Sequence, residues 1–505
     1  MFAITQPLRR AAKLWPSSPA LLREEGALTW KELEAGVAKF AQFLRDFGVS
    51  KGDRVAILSQ NSESFFQFYM AAPWADVIMV SINTRWSEEE MLTALDDSGA
   101  IILLVDQHFD ATGQALLARS EVIRQVVNIE HESCLSAMSG LSPLSDSGRS
   151  DDETVALFYT GGTTGRSKGV MLNSVGLLTT GLQVQAHSGL DHSAVVLHVA
   201  PFFHMAAGGI IYATLLAGAS SVILPAFVPS VVAQAIQQHS VTHILLVPTM
   251  IEMLLYDPSF SSYDLSSLRR IVYGSSPMPE SLLRLAMDRL PGVEFTQFYG
   301  MTELSPVATV LPPEDHQEAC AFPSRLRSAG VPIQLADLRI VDDQGDEVPR
   351  GEVGEVTVAG PSVMQGYWNN PDATAAAIRH GYMHTGDAGY CDEHGYLYLV
   401  DRIKDMIISG GENVYSTEVE QAVYQYPGVQ ECAVVGVPDS RWGESVCAVI
   451  YPEAGCTIDE PTIKEFCATK IANYKCPKKV VIASEPLPKT AAGKIAKTEI
   501  RKWVR

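Results

Sequence analysis

Short apolar segments alternate with amphipathic helical segments through the first 300 residues, and this alternation restricts the fold more than any other feature. Thr29 to Gly48 has the apolar spacing of a helix, and Thr29 and Glu32 form a capping box. Further helices are predicted from Ser62 to Ala72, after Ser87 and after Pro279. The strand-like segments between or beside them are "KGDRVAIL", "VIMVSIN", "AIILLVD", "HILLVPT" and "LRRIVYGSS". Such alternation predicts parallel sheets covered by helices on both faces.

Chain length and a change of texture predict the domain organisation. The 505 residues exceed what one hydrophobic core usually holds. After residue 330, short strands between Gly, Pro and Asp turns predict a small antiparallel sheet or barrel. The polar segment "DRIKDMIISGGENV" then separates off a stretch with the content of a small α+β domain. We predict an α/β protein with two parallel αβα-layered sheets and a β-barrel-like subdomain in residues 1–400, a hinge at 401–404, and a small α+β domain in 405–505.

Charge and cysteine content restrict the classes of binding partner and the cellular compartment that we expect. The chain has 38 Lys and Arg against 58 Asp and Glu, a net charge of −20, which repels nucleic acid and anionic membranes. Small molecules are therefore the expected partners. The eight cysteines show no CxxC pair, which argues against a zinc site or disulfide framework and favours the reducing cytoplasm. No signal peptide is expected, and Met205 to Phe227 is predicted to be a buried helix followed by a buried strand rather than a membrane span.

The segment "YTGGTTGRSKGV" (159–170) has the composition of a phosphate-binding loop. It follows the apolar strand "TVALFYT" and precedes a segment compatible with a helix. Glycines let backbone N–H groups converge, and the threonine hydroxyls and Lys168 add donors, so a polyphosphate is the natural guest. A P-loop ends in Gly-Lys-Ser/Thr, whereas here Ser167 precedes the lysine and Gly169 follows it. A glycine-rich surface loop without a ligand is the alternative.

Four further motifs carry candidate ligand contacts. In "QFYGMTE" (297–303), Glu303 beside Thr302 suits Mg²⁺ on a nucleotide, although a helix N-cap followed by an acid is an equal alternative. "HTGD" (384–387) offers Asp387 to the hydroxyls of a ribose, or forms a tight turn. "DRIKD" (401–405) puts Arg402 where a strand ends. "PKTAAGKI" (488–495) puts Lys494 on a glycine turn, where a solvated charge is the alternative.

The five motifs in this order and spacing are specific together. Over essentially its full length the chain resembles the adenylate-forming superfamily of acyl-CoA synthetases, luciferases and peptide-synthetase adenylation domains. The resemblance implies activation of a carboxylic acid by ATP and Mg²⁺ to an acyl adenylate with release of pyrophosphate, then transfer to coenzyme A with release of AMP. Loading of a carrier protein and luciferase-type oxygenation share these motifs and stay open. A homodimer is compatible with the sequence.

The resemblance also implies roles for individual residues around the nucleotide. The phosphate loop would comprise Thr160, Gly161, Gly162, Thr163, Thr164, Gly165 and Lys168, with Gly161 replacing the usual serine and Ser167 the usual proline. Ser275 and Ser276 would lie beside adenine, with Tyr299, next to Gly300, as its stacking partner. Thr302 would contact the α-phosphate and Glu303 would bind the metal. Asp387 and Arg402 would hold the ribose, and Lys494 would be the catalytic lysine.

The resemblance also implies residues that bind the carboxylic acid and the thiol of coenzyme A. His204, in "PFFHMAAGG", would lie near the reacting carboxylate and gate the acyl pocket. The pocket would be completed by Met205, Ala206, Ala207, Gly208, Tyr273, Gly274 and Met301. This region carries no acid to pair with a substrate ammonium, which favours an apolar acid, fatty or aryl. A mobile C-terminal domain would rotate about Lys404 and present Gly410 and Gly411 to the pantetheine arm, unless that segment is a plain hairpin turn.

Overall fold

The computed structural model describes residues 3–160, 167–317, 323–409, 412–439, 441–489 and 495–504. Within these ranges the α-helices are α1 (Gln6–Leu14), α2 (Trp30–Asp46), α3 (Glu63–Trp74), α4 (Glu88–Ser98), α5 (Asp110–Leu117), α6 (Glu132–Gly140), α7 (Ser174–Ser188), α8 (Met205–Ala217), α9 (Pro229–His239), α10 (Pro248–Tyr256), α11 (Glu280–Arg289), α12 (Pro371–Ala377), α13 (Ser416–Tyr424), α14 (Glu460–Ala468) and α15 (Lys497–Val504). The strands are β1 (Pro19–Leu22), β2 (Ala27–Thr29), β3 (Arg54–Leu58), β4 (Ile78–Ser81), β5 (Ala100–Val105), β6 (Gln125–Asn128), β7 (Thr154–Thr160), β8 (Lys168–Asn173), β9 (Val195–His198), β10 (Ser220–Ile223), β11 (His243–Leu246), β12 (Arg270–Gly274), β13 (Glu294–Tyr299), β14 (Thr309–Leu311), β15 (Val331–Pro332), β16 (Asp337–Val341), β17 (Gly354–Ala359), β18 (Gly366–Tyr367), β19 (Ile378–Arg379), β20 (Tyr382–Cys391), β21 (Leu397–Arg402), β22 (Ile407–Ser409), β23 (Glu412–Val414), β24 (Val429–Asp439), β25 (Gly443–Pro452) and β26 (Lys479–Ile482).

Two large, mostly parallel sheets organise the first 330 residues, as the alternation predicts. One has the strand order β18-β8-β7-β4-β3-β5-β6 and is parallel from β7 to β6. The other has the order β15-β14-β13-β12-β11-β9-β10-β1-β2 and is parallel from β13 to β1. Among the described strands, the antiparallel ones lie at the edges of the two sheets: β8, β18, β14, β15 and β2. The fold class predicted from the sequence is confirmed.

The structure confirms the predicted helix starts at Thr29 and Ser87. They could be predicted because each depends on contacts between residues close in the sequence. The Thr29 side chain accepts a hydrogen bond from the backbone N–H of Glu32, and the Glu32 carboxylate bonds back to the Thr29 N–H. Ser87 and Glu90 form the same capping box at α4. Each box satisfies N–H groups at the helix start that have no partner within the helix.

The sequence predicts a segment compatible with a helix directly after the phosphate loop, and this prediction is wrong. Residues 168–173 form strand β8, which pairs antiparallel with β7, so the loop joins the two strands of a hairpin. The buried Val170 and Leu172 lie on the core side of this strand, and that burial outweighs the local preference. Helix α7 begins only at Ser174. No helix N-terminus therefore follows the loop directly.

Two smaller sheets follow the large ones. The first has the order β16-β17-β20-β19, with β21 on β20, and matches the small sheet predicted after residue 330. The second has the order β23-β22-β25-β24, and β26 pairs parallel with β25. In the sequence, α13 lies between β23 and β24, α14 lies between β25 and β26, and α15 follows β26.

The chain forms two compact units. The first comprises residues 1–277, 284–338 and 358–383, and the second comprises 278–283, 339–357 and 384–505. The hinge at 401–404 and the domains 1–400 and 405–505 stay predictions. Met205–Ala217 and Ser220–Ile223 are the predicted buried helix and strand. None of the described helices combines the length and apolarity that crossing a membrane requires.

Candidate functional site

A sharp turn at the end of β13 positions Glu303. The strand ends at Tyr299, and residues 302–304 form a single 3₁₀ turn. A Cβ added at Gly300 would lie 2.0 Å from the carbonyl oxygen of Pro306, so only glycine lets the chain fold back this closely. The turn leaves Glu303 only 5% exposed. Burying a carboxylate requires hydrogen-bond donors or a cation beside it.

Two hydroxyl groups supply donors to Glu303. The Tyr367 hydroxyl donates to Oε1 at 2.9 Å, and the Thr160 hydroxyl lies 3.4 Å from the same oxygen. Burial, together with the Glu303 carboxylate, raises the pKa of Tyr367, so this phenol stays protonated and acts as a donor. Thr160 is 143 residues from Glu303 in the sequence. The fold therefore brings Thr160, at the start of the candidate phosphate loop, to the turn at residues 300–303, called here the "GMTE" turn.

Both ends of the phosphate loop are fixed. Thr160 pairs with Lys168 across the β7–β8 hairpin, and the Lys168 ammonium lies 4.3 Å from the centre of the Tyr367 ring. The Tyr159 hydroxyl donates to Asp97 at 2.6 Å. The Tyr159 ring covers Gly169, where an added Cβ would lie 2.9 Å from the ring. The predicted loop residues Gly161, Gly162, Thr163, Thr164 and Gly165 lie outside the described residues.

The predicted adenine contacts lie at the carboxyl ends of two neighbouring strands. Gly274 ends β12 and pairs with Phe298 on β13, and a Cβ at Gly274 would lie 2.2 Å from the Phe298 carbonyl oxygen. Ser275 follows with a φ of 67° and is exposed, and Ser276 is half-buried. Tyr299, at the end of β13, is also half-buried. Carboxyl ends of parallel strands are where ligands bind in open α/β sheets.

The acyl-pocket candidates differ in burial. His204 precedes the helix, and His204, Ala206, Gly274 and Met301 are half-buried. Met205, Ala207, Gly208 and Tyr273 are buried. The four accessible positions carry no acid, and two of them carry little or no side chain.

The segment before α8 is held by two polar side chains that sequence reasoning missed. The Asn61 amide donates to the carbonyl of Ala200 at 3.0 Å and accepts from the N–H of Phe202 at 2.8 Å. The Tyr69 hydroxyl donates to the Phe202 carbonyl at 2.5 Å. These bonds fix the backbone two residues before His204.

Tyr273 belongs to a buried network behind β12. Its hydroxyl lies 2.9 Å from Nε2 of His316 and 3.1 Å from the side chain of Gln297. Burial lowers the pKa of His316 to about 4, so the ring is neutral. Nδ1 of His316 donates to the Pro312 carbonyl at 2.9 Å, which leaves Nε2 to accept from the tyrosine. Tyr273 thus supports the strand that carries Gly274.

The predicted ribose contacts form an ion pair within the second unit. Asp387 on β20 and Arg402 on β21 are directly paired in the sheet, and Nε of Arg402 lies 2.7 Å from Oδ1 of Asp387. The guanidinium also donates to the Thr385 carbonyl at 3.1 Å. The Asp387 side chain is 10% exposed and that of Arg402 is 42% exposed. "HTGD" is therefore part of a strand rather than an isolated turn.

The predicted catalytic lysine and the two glycines predicted to meet the pantetheine arm stand in the same position as the loop residues. Lys494, Gly410 and Gly411 lie outside the described residues. The backbone of Lys404 lies in a 3₁₀ turn at Ile403–Asp405. Their roles stay predictions.

The residues at Glu303 fit a magnesium ion that arrives with a nucleotide. Among the described residues, no group of three or more His, Cys, Asp or Glu could hold a metal ion. Mg²⁺ typically uses one or two carboxylates, several waters and the phosphates of its substrate. A single buried carboxylate next to a phosphate loop satisfies that requirement.

Comparisons with known proteins find relatives over nearly the whole chain. A family model described as AMP-binding enzyme matches residues 8–368, and one described as AMP-binding enzyme C-terminal domain matches residues 418–494. The chain is 40% identical over 498 residues to a feruloyl-CoA synthase from Amycolatopsis sp., with 98% of each chain covered. It is 34% identical to the fatty acid–[acyl-carrier-protein] ligase ScoC from Streptomyces coeruleorubidus, with 96% of this chain and 93% of that one covered. The structure of o-succinylbenzoate CoA synthetase (MenE) from Bacillus subtilis, in complex with its acyl-adenylate intermediate OSB-AMP, superimposes with a TM-score of 0.87 at 30% identity, covering 98% of this chain and 97% of that one.

Proposed function

The chain belongs to the AMP-binding enzyme family, and from that premise we propose that it ligates an aromatic carboxylic acid to coenzyme A with ATP and Mg²⁺. Family membership confirms the resemblance seen in the five motifs, and the chain is an AMP-forming acid–thiol ligase. The observation that carries the site assignment is the contact between Thr160 and Glu303, which joins the phosphate loop to the "GMTE" turn.

The first half-reaction activates the acid. A carboxylate is a poor electrophile because resonance and charge protect its carbonyl carbon. One carboxylate oxygen attacks the α-phosphorus of ATP, a new P–O bond forms, and the bond to pyrophosphate breaks. Thr160 and Lys168 pair at the two ends of the phosphate loop, and donors fixed in place before the reaction stabilise charge that develops on a phosphate. Mg²⁺ on Glu303 would neutralise charge on the departing pyrophosphate.

The second half-reaction transfers the acyl group. The thiol sulfur attacks the carbonyl carbon, the bond to the AMP oxygen breaks, and the thiol proton leaves to solvent. In the proposal Lys494 serves the first step only, and rotation about Lys404 replaces it with Gly410 and Gly411 for the second. Serial use of two faces would keep the lysine out of the path of the thiol.

The aromatic class is supported by relatives and by the accessible end of the pocket. The feruloyl-CoA synthase at 40% identity and the o-succinylbenzoate CoA synthetase are both named for aromatic acids. Ala206 and Gly274 are half-buried and carry little or no side chain, and Met301 is half-buried as well. A flexible thioether packs favourably against an aromatic ring.

The test is a panel of acids. A hydroxycinnamic acid, 2-succinylbenzoate, a medium-chain fatty acid and a free amino acid are each incubated with ATP and Mg²⁺, and AMP and the thioester are measured with coenzyme A, with an acyl carrier protein, and with neither. We expect the fastest AMP release with an aromatic acid and coenzyme A. Faster turnover of the fatty acid would contradict the aromatic class, and thioester formation only on the carrier protein would contradict coenzyme A as acceptor. Lys494→Ala serves as the inactive control.

A further inference from the structure

Tyr367 contacts both the candidate metal ligand and the lysine of the phosphate loop. It lies on β18, which pairs antiparallel with β8, the strand that begins at Lys168. Its hydroxyl donates to Oε1 of Glu303 at 2.9 Å. The Lys168 ammonium lies 4.3 Å from the centre of its ring, within the range of a cation–π contact. Tyr367 itself is 6% exposed.

The hydroxyl engages one of the two carboxylate oxygens of Glu303. Both Tyr367 and Thr160 donate to Oε1, so among the contacts of the described residues this oxygen is the one already engaged. Oε2 is then the oxygen that the geometry leaves for a metal. A carboxylate held in one orientation loses less entropy when it binds a metal than a rotating one.

The backbone around Tyr367 and Glu303 is joined as well. The N–H of Met364 donates to the carbonyl of Glu303 at 2.8 Å. The Ser305 hydroxyl donates to the carbonyl of Ser362 at 2.7 Å. The segment 362–367 is therefore hydrogen-bonded to the chain around Glu303. A substitution at Tyr367 acts on Glu303 directly, because the two side chains are in contact.

We propose that Tyr367 is a positioning residue for the metal–nucleotide complex, orienting Glu303 through its hydroxyl and Lys168 through its ring. The proposal rests on the proposed function, because it takes Glu303 as the ligand that Mg²⁺ uses when ATP binds. It separates two roles within one side chain. The hydroxyl governs metal affinity, and the ring governs the lysine that meets the phosphates.

Two substitutions separate these roles. Tyr367→Phe keeps the ring over Lys168 and removes the donor to Glu303. Tyr367→Leu removes both. Tyr382→Phe is the matched control, because it deletes another tyrosine–carboxylate hydrogen bond, to Asp337, in the same unit.

The direct measurement is Mn²⁺ binding in the presence of ATP and the absence of acid, followed by the electron paramagnetic resonance signal of free Mn²⁺. We expect Tyr367→Phe to weaken Mn²⁺ binding by about tenfold or more, the order seen when a hydrogen-bond partner of a metal ligand is removed. The Mg²⁺ concentration for half-maximal ATP–pyrophosphate exchange should rise by a similar factor, with a rate at saturating Mg²⁺ close to that of the parent. Tyr367→Leu should in addition raise the KM for ATP, and Tyr382→Phe should change neither quantity.

The outcomes separate this proposal from the proposed function. If Glu303→Gln weakens Mn²⁺ binding and Tyr367→Phe does not, the positioning role is wrong while the metal ligand stands. If neither variant changes Mn²⁺ binding, the assignment of Glu303 itself fails. If Tyr367→Phe lowers the exchange rate equally at every Mg²⁺ concentration and lowers the melting temperature, Tyr367 is only a packing residue and the proposal is overturned.

Discussion

At the residue scale, three charged groups of low exposure have hydrogen-bond or ion-pair partners among the described residues. Glu303 accepts from two hydroxyls, and Asp387 is paired with Arg402. The third group is Lys497, which is not one of the candidate site residues. The Lys497 ammonium lies 2.7 Å from Oε1 of Glu420 and 2.5 Å from the Ser416 hydroxyl. A buried pair adds little over an apolar pair of the same shape, but removing one partner leaves an uncompensated charge.

The Lys497–Glu420 pair therefore predicts a large effect of a single substitution. Burial lowers the pKa of Lys497, but the Glu420 and Asp401 carboxylates outweigh this and raise it, so the lysine is charged. Lys497→Met should lower the free energy of unfolding of the second unit by about 3–5 kcal/mol, measured by denaturant unfolding. Lys502→Met, on the exposed side of the same helix, should change it by less than about 0.5 kcal/mol. A small effect of Lys497→Met would mean that water reaches the pair.

At the element scale, the sequence predicts what depends on neighbours along the chain. The capping boxes at Thr29 and Ser87 and the strand–helix alternation are local, and the structure confirms them. Strand β8 was missed because only its pairing with β7 and the burial of Val170 make it a strand.

The residues of the candidate site also differ in whether neighbouring residues in the sequence could predict them. Glu303 could be predicted because it lies in a short motif with Thr302. Tyr367 could not, because its contact with Glu303 spans 64 residues and its surroundings, "QGYWNNP", resemble an ordinary turn. Asn61 was missed for the same reason, since it holds a backbone segment 139 residues away.

At the scale of the whole molecule, three buried histidines make stability depend on pH. Burial lowers the pKa of His198 to about 3, and that of His243 and of His316 to about 4. The unfolded value is about 6.5, so the unfolded chain binds these protons first as the pH falls. The stability they contribute is complete above the unfolded pKa and is lost as the pH falls toward the folded values.

The expected loss is about 2 kcal/mol per histidine between pH 7.5 and pH 5. Denaturant unfolding at the two pH values measures it, with His198→Gln expected to reduce the difference by about a third and the exposed His131→Gln expected to leave it unchanged. An unaltered pH dependence in His198→Gln would show that this histidine titrates normally in the native protein.

The central step of the proposed reaction is attack of the acid's own carboxylate oxygen on the α-phosphorus of ATP. The direct measurement uses an aromatic acid labelled with ¹⁸O in the carboxylate, incubated with the enzyme, ATP, Mg²⁺ and coenzyme A, followed by mass spectrometry of the nucleotide and of pyrophosphate. The account predicts one labelled oxygen in AMP, none in pyrophosphate, and one retained in the thioester. Label in inorganic phosphate with release of ADP, or unlabelled AMP alongside a labelled thioester, would contradict it.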